Sequence, residues 1–157
     1  MHDADQLNDQ TTYQLCFACG ARNADGLRMV FRRSGERIVA DFTPQPGHQG
    51  FPGLLHGGIV ATLLDETLSR TGALRREWLM TGRLEIRYRR PAPIGRPMRV
   101  WGAIVGERPG AVRAEGALEL EDGTVIADAR GTFLPLPVAA QTETLARYPE
   151  FAEYWKR

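Results

Sequence analysis

The chain has 157 residues, 43% hydrophobic, 25% charged and 8% aromatic, and its twenty basic and nineteen acidic residues leave a net charge of +1. That length suits one domain, and the composition excludes the disordered, collagen-like and disulfide-dense classes. A nearly neutral chain has no global pull toward nucleic acid or anionic lipid, so neither is an expected partner.

Residues 1–15 are polar and unpatterned and read as a flexible arm. The start, Met1-His2-Asp3-Ala4-Asp5, is acidic where a secretory leader is basic and then apolar. No apolar run reaches the roughly 18 residues of a membrane helix, so a cytoplasmic chain without membrane insertion is expected. Cys16 and Cys19 are too few for a disulfide framework, which agrees with a reducing compartment. They offer two zinc ligands where a structural site usually takes four, so no metal is expected. Every cation except Lys156 is arginine, which suggests the GC-rich coding bias of a bacterial source.

Leu27, Met29 and Phe31 alternate with Arg28 and Arg32, and Ile38, Ala40 and Phe42 alternate with Arg37 and Asp41. With Ser34-Gly35 between them, the two runs predict a hairpin. Residues 44–52, rich in Pro, Gly and Gln, predict a loop. From Gly57 to about Arg76 the period changes to that of a helix, with Val60, Leu64 and Leu68 recurring every four residues. Ile59, Ala61 and Leu63 widen its apolar arc, as expected of a helix buried against a sheet. Gly72 weakens its end, and Arg75-Arg76-Glu77 predicts a solvated exit.

Period two then returns four times: Leu84 to Tyr88, stopped by Pro91 and Pro93; Met98 to Val105; Val112 to Leu120; and Thr124 to Leu134. Asp122-Gly123 predicts the turn of the last hairpin. Residues 138–157 form an extension, with a short helix expected over Thr144 to Lys156 from Leu145, Tyr148, Phe151 and Tyr154. One long helix covered by an antiparallel sheet is an α+β arrangement, a single domain over residues 16–137.

The stretch with chemical content is Leu55-His56-Gly57-Gly58-Ile59-Val60-Ala61-Thr62-Leu63-Leu64-Asp65-Glu66, a Gly-rich loop running into a helix. First-turn N–H groups lack intrahelical acceptors and carry partial positive charge. Gly57 and Gly58 let a carbonyl oxygen approach them, the geometry of an oxyanion hole. The plainer reading is a tight turn into the helix. Asp65 strengthens the functional one. Seven residues from Gly58, it lies within roughly 20° of the same helix face and about 10 Å along the axis. Thr62 and Ser69 fall near that face too. A carboxylate on an otherwise apolar helix needs a partner or a purpose. Glu66 has Arg70 four residues on, which predicts a surface ion pair. Because about 10 Å or more of helix separates Asp65 from the Gly57 N–H, one carbonyl cannot meet both within a chain. The missing half of each site must then come from a second copy, in a homodimer with two equivalent sites.

Together with Thr81-Gly82-Arg83-Leu84-Glu85-Ile86-Arg87-Tyr88-Arg89-Arg90-Pro91, the His-Gly-Gly segment resembles the hotdog-fold acyl-CoA thioesterases of the PaaI-like group, within the 4-hydroxybenzoyl-CoA thioesterase superfamily. The likeness covers residues 16–134, including a Cys-Phe-x-Cys-Gly-x-x-Asn-x-x-Gly-Leu piece, Cys16 to Leu27, found in a subset of these proteins. It implies a long helix wrapped by a curved antiparallel sheet of five to six strands, assembled as dimers or tetramers. It implies an acyl-CoA substrate and no cofactor. By position, it makes Asp65 the nucleophile or general base, Gly57 the oxyanion donor, His56 the support of that turn and Thr81 a hydroxyl near the attacking water. The substrate-binding set is Gly58, Glu66, Arg89 and Arg90, the arginines because guanidinium groups match the phosphates of coenzyme A. Gly50 stands where some relatives carry Asn. Two other functions fit the same segment. A hydratase or dehydratase would pair His56 with a carboxylate, and a non-catalytic acyl-CoA sensor would not need Asp65.

Overall fold

A computed structural model describes Leu7 and residues 15–152. The elements are β1 (Arg32–Ser34), β2 (Arg37–Phe42), α1 (Gly57–Arg70), β3 (Leu79–Tyr88), β4 (Met98–Arg108), β5 (Ala111–Leu120), β6 (Val125–Pro135) and α2 (Val138–Arg147). The six strands form one antiparallel sheet in the order β1-β2-β4-β5-β6-β3. Helix α1 packs across β2, β3, β4, β5 and β6. The arrangement is α+β, one long helix against a six-stranded sheet.

Apolar periodicity explains the core. Val60, Leu63, Leu64 and Leu68 of α1 are buried against Phe31, Ile38, Val100, Leu118 and Phe133. Two facing glycines let the helix come close. Gly102 of β4 pairs with Gly116 of β5. A Cβ on Gly102 would lie 3.2 Å from the Thr67 carbonyl oxygen of α1. On Gly116 it would lie 2.9 Å from Leu68 Cδ1 and 2.0 Å from the Trp101 carbonyl oxygen, where no side chain fits.

Three local expectations change. Leu27, Met29 and Phe31 are buried in alternation, yet they lie outside the sheet. Leu27 and Met29 donate backbone bonds to Phe17 and Ala18 (2.8 and 2.9 Å), so this run pairs with the cysteine turn, and the hairpin strand is only Arg32–Ser34. Alternation reports which side chains are buried and does not identify the backbone partner. The predicted helix ends at Arg70 and continues as a 3-10 turn over Thr71–Arg75, with Arg76 left-handed at φ 58°. Gly72 is required there, because a Cβ would lie 2.4 Å from the Glu77 carbonyl oxygen. The terminal helix starts earlier than expected, at Val138 behind Pro137, and stops at Arg147. Pro149 disfavours helical backbone at Tyr148, which sits at φ −133°. Phe151 then packs edge-on against Trp78, with ring centres 5.0 Å apart. Of the expected arm, only Leu7 and Leu15 are described, and Leu7 donates to the Phe31 carbonyl at 2.9 Å; Tyr154 lies outside the described residues.

Candidate active site

The loop before α1 is fastened on both sides, which fixes where the helix begins. His56 donates its backbone N–H to the His48 carbonyl (2.9 Å), and Leu55 donates to the Ala92 carbonyl (2.8 Å). His48 accepts the Gln45 N–H on Nδ1 and stacks on Phe42, a structural duty. His56 caps α1, its Nδ1 accepting the Gly58 N–H at 2.9 Å. An accepting Nδ1 carries no proton, so the neutral ring holds its proton on Nε2. Among the described residues of one chain no carboxylate bonds this ring.

The first turn of α1 has its donors assigned except one. Gly58 N–H is held by the His56 ring, and Ile59 and Val60 both donate to the His56 carbonyl. Gly57 N–H has no acceptor among the described residues, and the first turn contains no acidic side chain to offset its partial positive charge. The exposed Gly57 borders an open cleft of about 310 Å³, lined also by Leu55, Tyr88, Arg89, Arg90 and Pro91. Tyr88 is a member of this site that the sequence did not single out. Its hydroxyl donates to the Gly57 carbonyl at 2.8 Å and pins the first residue of the helix. The only hint was its place beside the arginines on β3.

Two turns further along α1, Asp65 meets Thr81 of β3. The Thr81 hydroxyl donates to Asp65 Oδ1 at 2.6 Å, and Oδ2 has no partner among the described residues. A register shift between Thr81 and Arg83 marks a bulge at Gly82, a feature that re-aims neighbouring side chains. Thr62 and Ser69, on the face shared with Asp65, bond back to the carbonyls of Gly58 and Glu66.

The remaining predicted residues divide. Arg89 and Arg90 line the cleft beside Gly57, Arg89 also pairing with Asp128. Glu66 turns the other way. Its carboxylate pairs with Arg70 at 3.0 Å, and Arg70 is 2% exposed, so the expected surface pair is a buried one. Cys19, almost fully buried, donates to the same carboxylate at 3.2 Å.

No family model matches this sequence. Mouse acyl-coenzyme A thioesterase THEM5 is 42% identical over 67 residues, a match covering 43% of this chain and 27% of that protein. The chain thus spans about a quarter of the curated relatives' length that it matches. The crystal structure of the thioesterase superfamily protein RHA08564 superposes with a TM-score of 0.73 at 27% identity, over 85% of this chain and 68% of that one. The chain has the hotdog fold of these thioesterase superfamily structures. The PaaI protein of the E. coli phenylacetic acid degradation operon shares this fold, with a TM-score of 0.66 at 13% identity over 71% of this chain and 81% of that one. In hotdog terms, α1 is the central helix, and the cleft opens where its first turn meets the end of β3.

Proposed function

We propose that this protein hydrolyses acyl-CoA thioesters to the free acid and coenzyme A, as a homodimer whose two sites are shared between subunits. The observation that carries the reading is that one helix bears both an unclaimed Gly57 N–H and a carboxylate, Asp65, which Thr81 of β3 holds through one oxygen. The likeness to acyl-coenzyme A thioesterases supports the substrate class.

In this reading the thioester carbonyl oxygen accepts the Gly57 N–H of one subunit, where charge develops as the carbonyl carbon becomes tetrahedral. The Asp65 carboxylate of the other subunit attacks that carbon or takes a proton from the water that does. Oδ1 stays with Thr81, which leaves Oδ2 to react. Collapse of the tetrahedral species breaks the C–S bond and releases coenzyme A. Where Asp65 is the base, the proton it took from water passes to the departing thiolate. Where it is the nucleophile, water then cleaves the acyl-aspartyl anhydride to the free acid and supplies the proton for the thiolate. Arg89 and Arg90 at the cleft wall suit its phosphates. Two copies are needed because eight residues of helix separate Gly57 from Asp65, about 12 Å at 1.5 Å per residue. The outer edge of the ten-residue β3 is a ready surface for pairing. A bacterial source and a cytoplasmic location complete the proposal, supported by the Arg-for-Lys bias and by the lack of a disulfide framework.

The test is thiol release from short, medium, long and aryl acyl-CoAs, with Asp65→Asn as the control. Asp65→Asn should keep the fold and lose at least about a hundredfold in turnover, the scale of a positioned base or nucleophile. Near wild-type turnover in a folded Asp65→Asn would remove Asp65 from the mechanism. Binding without thiol release from any substrate would identify a sensor.

A further inference from the structure

The cysteine turn lies against Glu66 and Arg70, on a face of α1 turned away from Asp65. Residues 16–20 close a tight turn in which Gly20 N–H donates to the Cys16 carbonyl at 2.9 Å. That turn brings the two sulfurs and a Glu66 carboxylate oxygen within 4.8 Å of one another. Cys19 is 1% exposed, whereas Cys16 is partly exposed and flanked by the exposed Leu15 and Phe17. Cys19 Sγ donates to Glu66 Oε1 (3.2 Å) and accepts from Arg70 Nη2 (3.0 Å), which also reaches Glu66 Oε1 at 3.0 Å. A buried arginine and an accessible sulfur packed against a second, buried sulfur are the parts of a thiol-disulfide exchange site.

A metal ion is the competing reading of the same atoms. Three donors fall short of the usual four, and the Arg70 cation already stands 3.0 Å from two of them, so an added cation would be repelled where it has to bind.

We propose that Cys16 and Cys19 form a redox-active dithiol, with Cys16 as the attacking sulfur, Cys19 as the resolving one, and a small-molecule disulfide such as oxidised glutathione as the oxidant. The Cys16 thiolate attacks one sulfur of glutathione disulfide; that S–S bond breaks and one glutathione thiolate leaves. Cys19 then gives up its proton to water, attacks the Cys16 sulfur and expels the second glutathione thiolate. Two cysteines are oxidised to one disulfide, and one disulfide is reduced to two thiols. The electrostatics assign the order of attack. When the Cys19 thiol turns its proton from Glu66 to the Cys16 sulfur, that hydrogen bond lowers the Cys16 pKa to about 6, against the opposing effects of burial and the Glu66 charge. The same hydrogen bond, with burial, pushes the Cys19 thiol upward. Closing the bridge takes the proton from Cys19 that now bonds Glu66, and so cuts one tie between the turn and α1.

The experiment exposes the full chain to glutathione redox buffers, traps remaining thiols with iodoacetamide and maps the cysteines by mass. The expected product has lost two hydrogens, with both cysteines protected from alkylation. Cys19→Ser should stop as a glutathione adduct on Cys16, and Cys16→Ser should leave Cys19 unreacted. In the reduced wild-type chain, which needs no variant to fold, Cys16 should alkylate at least about a hundredfold faster than Cys19. Its rate should rise with pH through about 6, as the thiolate forms, and then level off. Amide exchange over residues 16–31 should quicken about tenfold on oxidation, the effect of losing a hydrogen bond to a charged group. Two fully alkylatable cysteines after exposure to the oxidant would overturn the proposal. So would equal reactivity of the two thiols in the folded chain, or stoichiometric zinc shielding both. None of these outcomes bears on thioester hydrolysis, which is measured separately by thiol release.

Discussion

Asp65 and Thr81 meet through a single hydrogen bond of 2.6 Å, and that bond decides what each substitution should do. Thr81→Ala removes the donor that holds Oδ1 while leaving the carboxylate charged. Turnover should fall by about tenfold with KM little changed, because orientation matters most when the acyl carbon is attacked. A change confined to KM would mean that Thr81 contacts the substrate instead. His56 acts on the other half of the site. His56→Ala frees the Gly58 N–H and should cost about 1 kcal/mol of stability, the usual value of a lost N-cap, measured by denaturant unfolding. The placing of Gly58 and Asp65 on one helix face, and of His56 and Gly57 at its start, was legible in the sequence from their spacing and the His-Gly-Gly run. Tyr88 was not, since a tyrosine in a period-two strand looks like any half-buried residue, and its bond to the Gly57 carbonyl links positions 31 residues apart. The buried state of Arg70 was hidden for a related reason. An i,i+4 Glu-Arg pair reads as a surface pair until another segment, here the cysteine turn, is known to cover it.

Among the elements, the seat of α1 on the sheet depends on glycines more than on apolar periodicity. Gly116→Ala should destabilise the fold by about 3 kcal/mol, the upper range for overpacking, because the clash is with backbone that cannot rotate away. Gly102→Ala should cost less, since its nearest neighbour, at 3.2 Å, needs to shift by only a few tenths of an ångström. Chemical denaturation of the two variants ranks them; a Gly116→Ala chain as stable as wild type would show that the β4 backbone at Trp101 gives way to the methyl. The four long strands were legible from alternation and the Asp122-Gly123 turn, where Gly123 has φ +82°. The order β1-β2-β4-β5-β6-β3 was not, because β3 follows the helix in sequence yet pairs with β6, a choice made by packing across α1. Helix α2 begins at Val138, earlier than the aromatic spacing suggests, and breaks at Tyr148 before helical backbone resumes at Phe151, because Pro137 and Pro149 set its bounds.

For the whole molecule, the shared-site proposal has a direct test. Gly57→Pro deletes the unclaimed N–H, and the local backbone suits the change. Gly57 is the first residue of α1, where proline is favoured, and His56 at φ −61°, ψ 131° already has the extended conformation that precedes proline. No hydrogen bond among the described residues is lost with that N–H. Gly57→Pro and Asp65→Asn should each be nearly inactive as homodimers. A co-expressed heterodimer contains one site with a normal Gly57 and a normal Asp65, and should recover up to about half of wild-type activity. Failure to recover in a verified heterodimer would place the whole site within one chain.

The two margins of the sheet are unequal: β1 runs for three residues, and β3 for ten. A copy that docks along β3 uses its own β3 to do so and is left presenting only the short margin outward. In the proposed dimer, growth by strand addition would stop at two, as for a tile with a single adhesive side. A variant that lengthened β1 would gain a second such side, and the expected consequence is open-ended fibres in place of a closed pair.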